Sequence, residues 1–186
     1  QNFMGRTGRS DLRSVLKRET ASMHDTLDGT MGEEAIASPR DYARFLMAQH
    51  RARKPIEEWV ERNLPAHAAP PAQAPLIEAD LAALGQTIPL RHHGFSMPEN
   101  ADPIGLKWAL AGSSLGNRAM LAQRRKLGLG GPEAFLSDGA MPAFFKKLRP
   151  ELEVEADPTR ARRAVLAAEA VFACFLDALE PVAETA

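Results

Sequence analysis

The stretch LKRETASMHDTLD, Leu16 to Asp28, places a single histidine, His24, within a helical pattern near the start of the chain. Four apolar residues of this region fall on one stripe at helical spacing: Leu12, Leu16, Met23 and Leu27. The stripe predicts one amphipathic helix up to Asp28, with Ser10 as its N-cap. Lys17 precedes the histidine by two turns on roughly the same face. His24 is therefore either a packed or solvated residue or a ligand for a group beside the helix.

The rest of the chain also has helical patterns, and no convincing period-two run indicates a strand. Ser38-Pro39 and Asp157-Pro158 are start signals for two further helices. Residues 65–75 form a proline-rich connector, 102–128 one long helix, and 132–139 and 141–152 two short helices. The prediction is an all-α single domain of roughly six to eight helices. It spans residues 11–186, after a flexible N-terminal tail, 1–10.

Composition narrows the classes of function. The 186 residues carry a formal net charge of −1, which gives no field for nucleic acid or an anionic membrane. No run of 18 apolar residues predicts a membrane span, and the N-terminus has no apolar core of the signal-peptide type. The single cysteine, Cys174, lies in an apolar run and predicts a buried, inert thiol. We therefore expect a cytoplasmic protein that binds neither nucleic acid nor membrane.

A second stretch, AGSSLGNRA, residues 111–119, carries two glycines within the predicted long helix. Glycine in a helix interior is about 1 kcal/mol less favourable than alanine. The presence of both Gly112 and Gly116 in one helix therefore calls for an explanation. One interpretation is close packing of two helices through small residues. The other is a flat ligand lying against a bare backbone, at a point where the helix can bend.

The other histidines have simpler interpretations. His50 is predicted on a helix surface, His67 in the proline-rich connector, and His92-His93 in a loop. The adjacent pair lacks the i, i+4 helical spacing of a metal site. A carboxylate-bridged di-iron site has no support either, because the sequence has no Glu-x-x-His. An imidazole on one helix and a bare backbone on another could hold a planar macrocycle between them. A proximal histidine commonly holds haem iron, so haem is one such ligand.

At this point the sequence resembles the haem oxygenase family, in particular its compact bacterial, bacteriophytochrome-associated members. LKRETASMHDTLD is similar to the proximal-helix pattern, and WALAGSSLGNRAML to the distal-helix Gly-Ser-x-Leu-Gly pattern. AVLAAEAVFACFLDAL is similar to the closing helix. Two positions depart from common patterns. Asn117 stands where many members have a second glycine, and Ser113 where animal members have an acidic residue.

The resemblance implies a role for each matching residue. His24 is the proximal iron ligand, and Lys17, Lys146 and Arg149 bind the haem propionates. The resemblance also gives the distal face and the remaining pocket residues, which are Gly112, Ser113, Gly116, Asn117, Thr20 and Phe172. Polar side chains such as Ser113 or Asn117 hold the waters that deliver protons.

The resemblance further implies that haem is both substrate and cofactor. O2 and external electrons convert it to biliverdin, carbon monoxide and iron. The electrons come from outside the chain, since no G-x-G-x-x-G follows a strand. The resemblance implies a ferredoxin-type or other reductase as their donor. Basic clusters at residues 124–126 and 146–147 are either solvated faces or docking sites for an acidic donor. A bacteriophytochrome is a recipient of the biliverdin. Two alternatives stay open: a non-catalytic haem- or tetrapyrrole-binding module, and a haem-free helical interaction domain on the same scaffold.

Overall fold

The computed structural model describes residues 10–30, 37–88 and 91–180. These residues form eight α-helices and a short 3-10 turn, Ala66–Ala68. The helices are α1 Leu12–Glu19, α2 Ala21–Thr30, α3 Pro39–Asn63, α4 Ala74–Ala83, α5 Pro103–Ser113, α6 Asn117–Lys126, α7 Ala140–Leu152 and α8 Pro158–Asp177. Over these ranges the extended backbone pairs only at an isolated bridge between Asp11 and Glu155. The all-α prediction is confirmed.

The predicted tail, 1–10, lies outside the described residues except for Ser10. The carbonyl oxygen of Ser10 accepts a hydrogen bond from the Ala156 backbone N–H at 3.2 Å. The division of the chain into 1–10 and 11–186 stays a prediction. The N-cap of α1 is Asp11 rather than Ser10, because the Asp11 carboxylate accepts the Ser14 backbone N–H at 2.8 Å.

Two of the predicted helices are each divided in the structure. The first, expected to be continuous through Asp28, breaks at Thr20, whose hydroxyl donates to the Leu16 carbonyl oxygen at 2.8 Å. Such a bond back to the preceding turn competes with regular helix geometry. The second, expected over 102–128, is α5 and α6 separated by residues 114–116. The glycines and serines of this region permit the break.

The segment 132–139 is a series of turns and not the predicted short helix. The buried Asp80 carboxylate of α4 accepts the backbone N–H groups of Ala134 and Phe135 at 3.0 and 2.9 Å. These bonds replace the helical bonds that the segment lacks, and Phe135 becomes fully buried.

The hydrophobic interior consists of two clusters. The larger cluster surrounds α8, which packs against α1, α2, α3 and α5. The smaller cluster joins the first half of α3 to α4, α6 and the turn at Phe135. Packing of α5 against α8 is close at Gly105, where a Cβ would overlap the carbonyl oxygen of Ala164. Helix α3 takes part in both clusters.

Cys174 is buried as predicted, and burial raises the pKa of its thiol to about 12. His50 is also buried, with 3% of its surface exposed, so its prediction as a surface residue was wrong. Helix α3 places the His50 imidazole against α4. Its Nε2 lies 2.9 Å from the Glu78 carboxylate, and this contact replaces the hydrogen bond to water that the ring loses on burial. Of the helices seen in the described ranges, none has the length and apolarity to cross a bilayer.

Candidate functional site

His24 lies on α2 with about half of its side chain exposed. Its Nδ1 is 3.3 Å from a carboxylate oxygen of Asp28, one helical turn further along, and 4.0 Å from one of Asp25. Protein histidines that bind metals commonly donate their second ring N–H to a carboxylate, which fixes the ring orientation. Asp28 can orient the His24 ring in this way and leave Nε2 as the ligating atom.

A sequence of aromatic contacts connects α2 to α5 through α8. The His24 ring meets the edge of Phe172 with ring centroids 6.2 Å apart, and Phe172 meets Trp108 at the same separation. Phe172 is 6% exposed. Trp108 stands one turn before Gly112 on α5, so the two residues share a face of the helix. The structure therefore places His24, Phe172 and the Gly112 face in one connected region.

The break between α5 and α6 exposes bare backbone in this region. A Cβ placed on Gly112 or on Gly116 would meet no described atom within 4 Å. Within the described residues no helix packs against these two glycines, whereas Gly105 packs closely against α8. Residues 114–117 form a tight turn in which Leu115 N–H bonds Gly112 O at 3.2 Å and Asn117 N–H bonds Ser114 O at 3.1 Å. A flat ligand can approach the backbone here without meeting side chains at the two glycines.

The serines of the break rest on a buried arginine that the sequence analysis did not single out. One terminal nitrogen of Arg53, Nη2, donates to the Ser113 hydroxyl at 2.8 Å and to the Ser114 hydroxyl at 3.1 Å. Its Nε donates to Gln49 Oε1 at 3.0 Å. Arg53 is 0% exposed, and burial lowers its pKa to about 10, so the guanidinium stays charged at neutral pH. Asn117, which begins α6, is also buried.

The three predicted propionate-binding residues lie on α1 and α7, and all three are exposed. Arg13, one turn before Lys17, lies with its guanidinium over the Phe145 ring of α7 and 3.6 Å from the carboxylate of Glu153, the residue after α7. The first turn of α1 therefore contacts α7, the helix of Lys146 and Arg149. Arg149 already forms an ion pair with Glu153 at 3.0 Å.

Thr20 is 1% exposed, and its hydroxyl donates to the Leu16 carbonyl. The Thr20 side chain therefore packs in the interior, and its hydroxyl proton is already used within the protein. The basic cluster 124–126 is not uniformly exposed. Arg124 is 4% exposed and lies over the Tyr42 ring, and Arg125 pairs with Glu133 at 2.7 Å. Arg124 therefore does not belong to a solvated or docking face as predicted, whereas Arg125 and Lys126 are exposed as predicted.

The donor set fits haem better than a free metal ion. No group of three or more His, Cys, Asp and Glu side chains that could hold a metal comes together in the described part of the chain. A single imidazole suffices for iron held in a porphyrin, which brings its own nitrogen ligands. The open backbone at Gly112 and Gly116 and the cations of α1 and α7 suit a flat ligand with acidic groups.

Neither protein-family models nor curated protein sequences give a match to this chain. A solved structure that resembles it is the haem oxygenase of Neisseria meningitidis, whose structures are described as NO- and CO-bound. The two chains superpose with a TM-score of 0.73 at 20% sequence identity, over 91% of this chain and 90% of the other. At that identity the similarity establishes a shared fold. This chain has the haem oxygenase fold.

Proposed function

We propose that this chain is a haem oxygenase, which converts haem to biliverdin, carbon monoxide and iron with O2 and external electrons. The observation that carries the proposal is the open backbone at Gly112 and Gly116, on the region connected through Phe172 to His24. Haem, when bound, supplies the iron at which O2 is activated.

On the proximal side, His24 would hold the iron through Nε2. Asp28 would accept a hydrogen bond from the Nδ1–H group and orient the ring, and Phe172 packs against its edge. Thr20, bonded to Leu16, keeps the α1–α2 junction in place. His24 is half-exposed, so it can accept a ligand without displacing a packed neighbour.

Cations at the margin of the site select the orientation of the bound ring. Lys17 and Lys146 would pair with the propionates, and Arg149, which now pairs with Glu153, would be a third cation for them. These cations would help to set the orientation in which haem binds.

On the distal side, Gly112 and Gly116 let the backbone approach the ligand closely. The polar side chains of Ser113 and Asn117 hold waters, and these waters deliver the protons. The Ser113 hydroxyl already donates to the Leu110 carbonyl at 2.7 Å while it accepts from Arg53.

Electrons come from a separate donor, of the ferredoxin type or another reductase. Lys146 and Lys147 form an exposed basic pair suited to an acidic donor. A bacteriophytochrome is the proposed recipient of the biliverdin. We place the protein in the cytoplasm, as one domain over 11–186.

The proposal is tested by adding haem to the purified protein and then a reductant, ascorbate or ferredoxin with its reductase, in air. His24→Ala is compared with His67→Ala, which removes a histidine from the proline-rich connector. We expect the intact chain and His67→Ala to give a Soret band that decays into biliverdin absorption, and His24→Ala to give neither.

A Soret band that stays stable under both reductants would overturn the oxygenase proposal and favour a non-catalytic haem-binding module. Absence of a Soret band in the intact chain would show that it does not bind haem and would favour the haem-free interaction domain. Equal spectra for His24→Ala and His67→Ala would remove His24 as the iron ligand.

A further inference from the structure

Arg53 is the largest side chain that is fully buried in the described residues. A buried guanidinium loses its hydration, so it persists only where the protein replaces those contacts. Three hydrogen bonds do so here, one to Gln49 and two to the Ser113 and Ser114 hydroxyls. The carboxylates of Glu57 and Asp138 stabilise the charge from further away.

The same guanidinium lies between the two hydrophobic clusters. Its central carbon is 5.1 Å from the Phe135 ring centroid, in the smaller cluster, and 5.5 Å from that of Phe175, in the larger one. Helix α5 belongs to the larger cluster and α6 to the smaller one. Arg53 therefore contacts both clusters and also the segment at which the chain passes from one to the other.

The bonding is unequal at the two terminal nitrogens. Nη2 serves both serines, and Nη1 is buried without a hydrogen-bond partner among the described residues. A guanidinium bonded at Nε and Nη2 is fixed in plane and direction, since its nitrogens are rigidly arranged. Its hydrogen bonds to the two serines therefore depend on direction as well as on charge.

We propose that Arg53 is the positioning residue of the α5–α6 break. Its guanidinium holds the Ser113 and Ser114 hydroxyls and thereby sets where α5 ends and how the Gly112–Gly116 backbone stands toward the ligand. Its part in ligand positioning rests on the proposed function. Its hold on the break does not, because the contacts exist within the protein itself.

The first experiment measures amide hydrogen exchange of the haem-free protein. Arg53→Met keeps most of the buried volume and removes the donors. Arg51→Met is the matched control, because Arg51 is also a buried arginine of α3 but donates to the Ala178 carbonyl. We expect exchange at residues 114–117 to accelerate about tenfold or more in Arg53→Met, with α1 unchanged, because hydrogen bonds to a charged group are strong. Arg51→Met leaves 114–117 at the original rate.

A second variant covers the case in which Arg53→Met does not fold. Ser113→Ala with Ser114→Ala removes the acceptors and keeps the arginine, and the same local acceleration is expected. Unchanged exchange at 114–117 in the folded variants, or acceleration spread evenly over all helices, would overturn the positioning role.

The second experiment titrates haem into the same variants and records affinity and the Soret maximum. A shifted maximum and affinity weakened about tenfold in Arg53→Met and in the double serine variant, with Arg51→Met unaffected, support the role toward the ligand. Arg53→Lys keeps the charge but has one nitrogen, and we expect it to restore only part of the affinity. Intact affinity and spectrum in Arg53→Met would overturn that role. If the intact chain binds no haem, the proposed function fails, while the exchange experiment still decides the hold on the break.

Discussion

Gly105 and Gly112 lie on the same helix, α5, and the same substitution is expected to have opposite effects at the two positions. In Gly105→Ala the new methyl would overlap the Ala164 carbonyl oxygen and stand 2.7 Å from the Ala164 carbonyl carbon. These are backbone atoms of α8 and cannot rotate away, so the two helices must separate. In Gly112→Ala the methyl meets no described atom within 4 Å.

The magnitudes follow from overpacking and helix propensity. Overpacking a core destabilises by about 1–3 kcal/mol, and backbone contact puts Gly105→Ala at the upper end. Replacing a helical glycine by alanine returns about 0.5–1 kcal/mol at either position. The net expectation is a loss of about 2 kcal/mol for Gly105→Ala and a gain of about 0.5–1 kcal/mol for Gly112→Ala. In a domain of this size each kcal/mol moves Tm by about 2–4 °C.

The assay is thermal and urea unfolding of the haem-free variants beside the unsubstituted chain. Gly105→Ala is expected to lower Tm by roughly 4–8 °C, and Gly112→Ala to raise it by roughly 1–4 °C. Haem titration of Gly112→Ala then shows weakened binding despite the gain in stability, because the methyl occupies the bare face. Destabilisation of similar size at both positions would refute the assignment of Gly105 to packing and of Gly112 to an open face.

Three further predictions concern titratable groups. Tyr42 is the only tyrosine, and burial raises its pKa to about 12, so tyrosinate absorbance should appear in the folded protein only near that pH. Because the folded pKa is raised, its stabilising contribution is complete below about pH 10 and falls as pH rises toward 12; an unchanged free energy of unfolding across that window would contradict this. Asp11→Ala should destabilise by about 1 kcal/mol through loss of the α1 N-cap. Hydrogen bonds from Ser14 lower the Asp11 pKa, so this contribution is present above about pH 4 and lost as pH falls below it, which unfolding at pH 7 and pH 3 measures. Cys174 should react with a thiol reagent only after unfolding, and rapid reaction of the native protein would contradict its burial.

Local sequence signals predicted the fold class and several helix starts. Ser38-Pro39 and Asp157-Pro158 mark the beginnings of α3 and α8, because capping depends on a few neighbouring residues. The break in 102–128 was visible only as two glycines in a helical pattern. Whether a helical glycine packs against a neighbour depends on what lies opposite it, which is Ala164 for Gly105 and no described residue for Gly112.

The arginine beneath the break was harder to find from sequence. The α3 positions at spacings of three and four are Leu46, Gln49, Arg53, Ile56 and Val60. Two polar residues on an otherwise apolar stripe were the available signal, because a charge there must be paired once it is buried. Its partners, Ser113 and Ser114, are about sixty positions away in sequence, and only the tertiary fold identifies them.

The division of the interior into two clusters has a consequence for the effect of a ligand on stability. Because α5 belongs to the larger cluster and α6 to the smaller one, residues 114–116 join helices that pack in different parts of the interior. We expect a flat ligand bound at this turn to stabilise the ends of both helices, so that Tm rises with the ligand concentration.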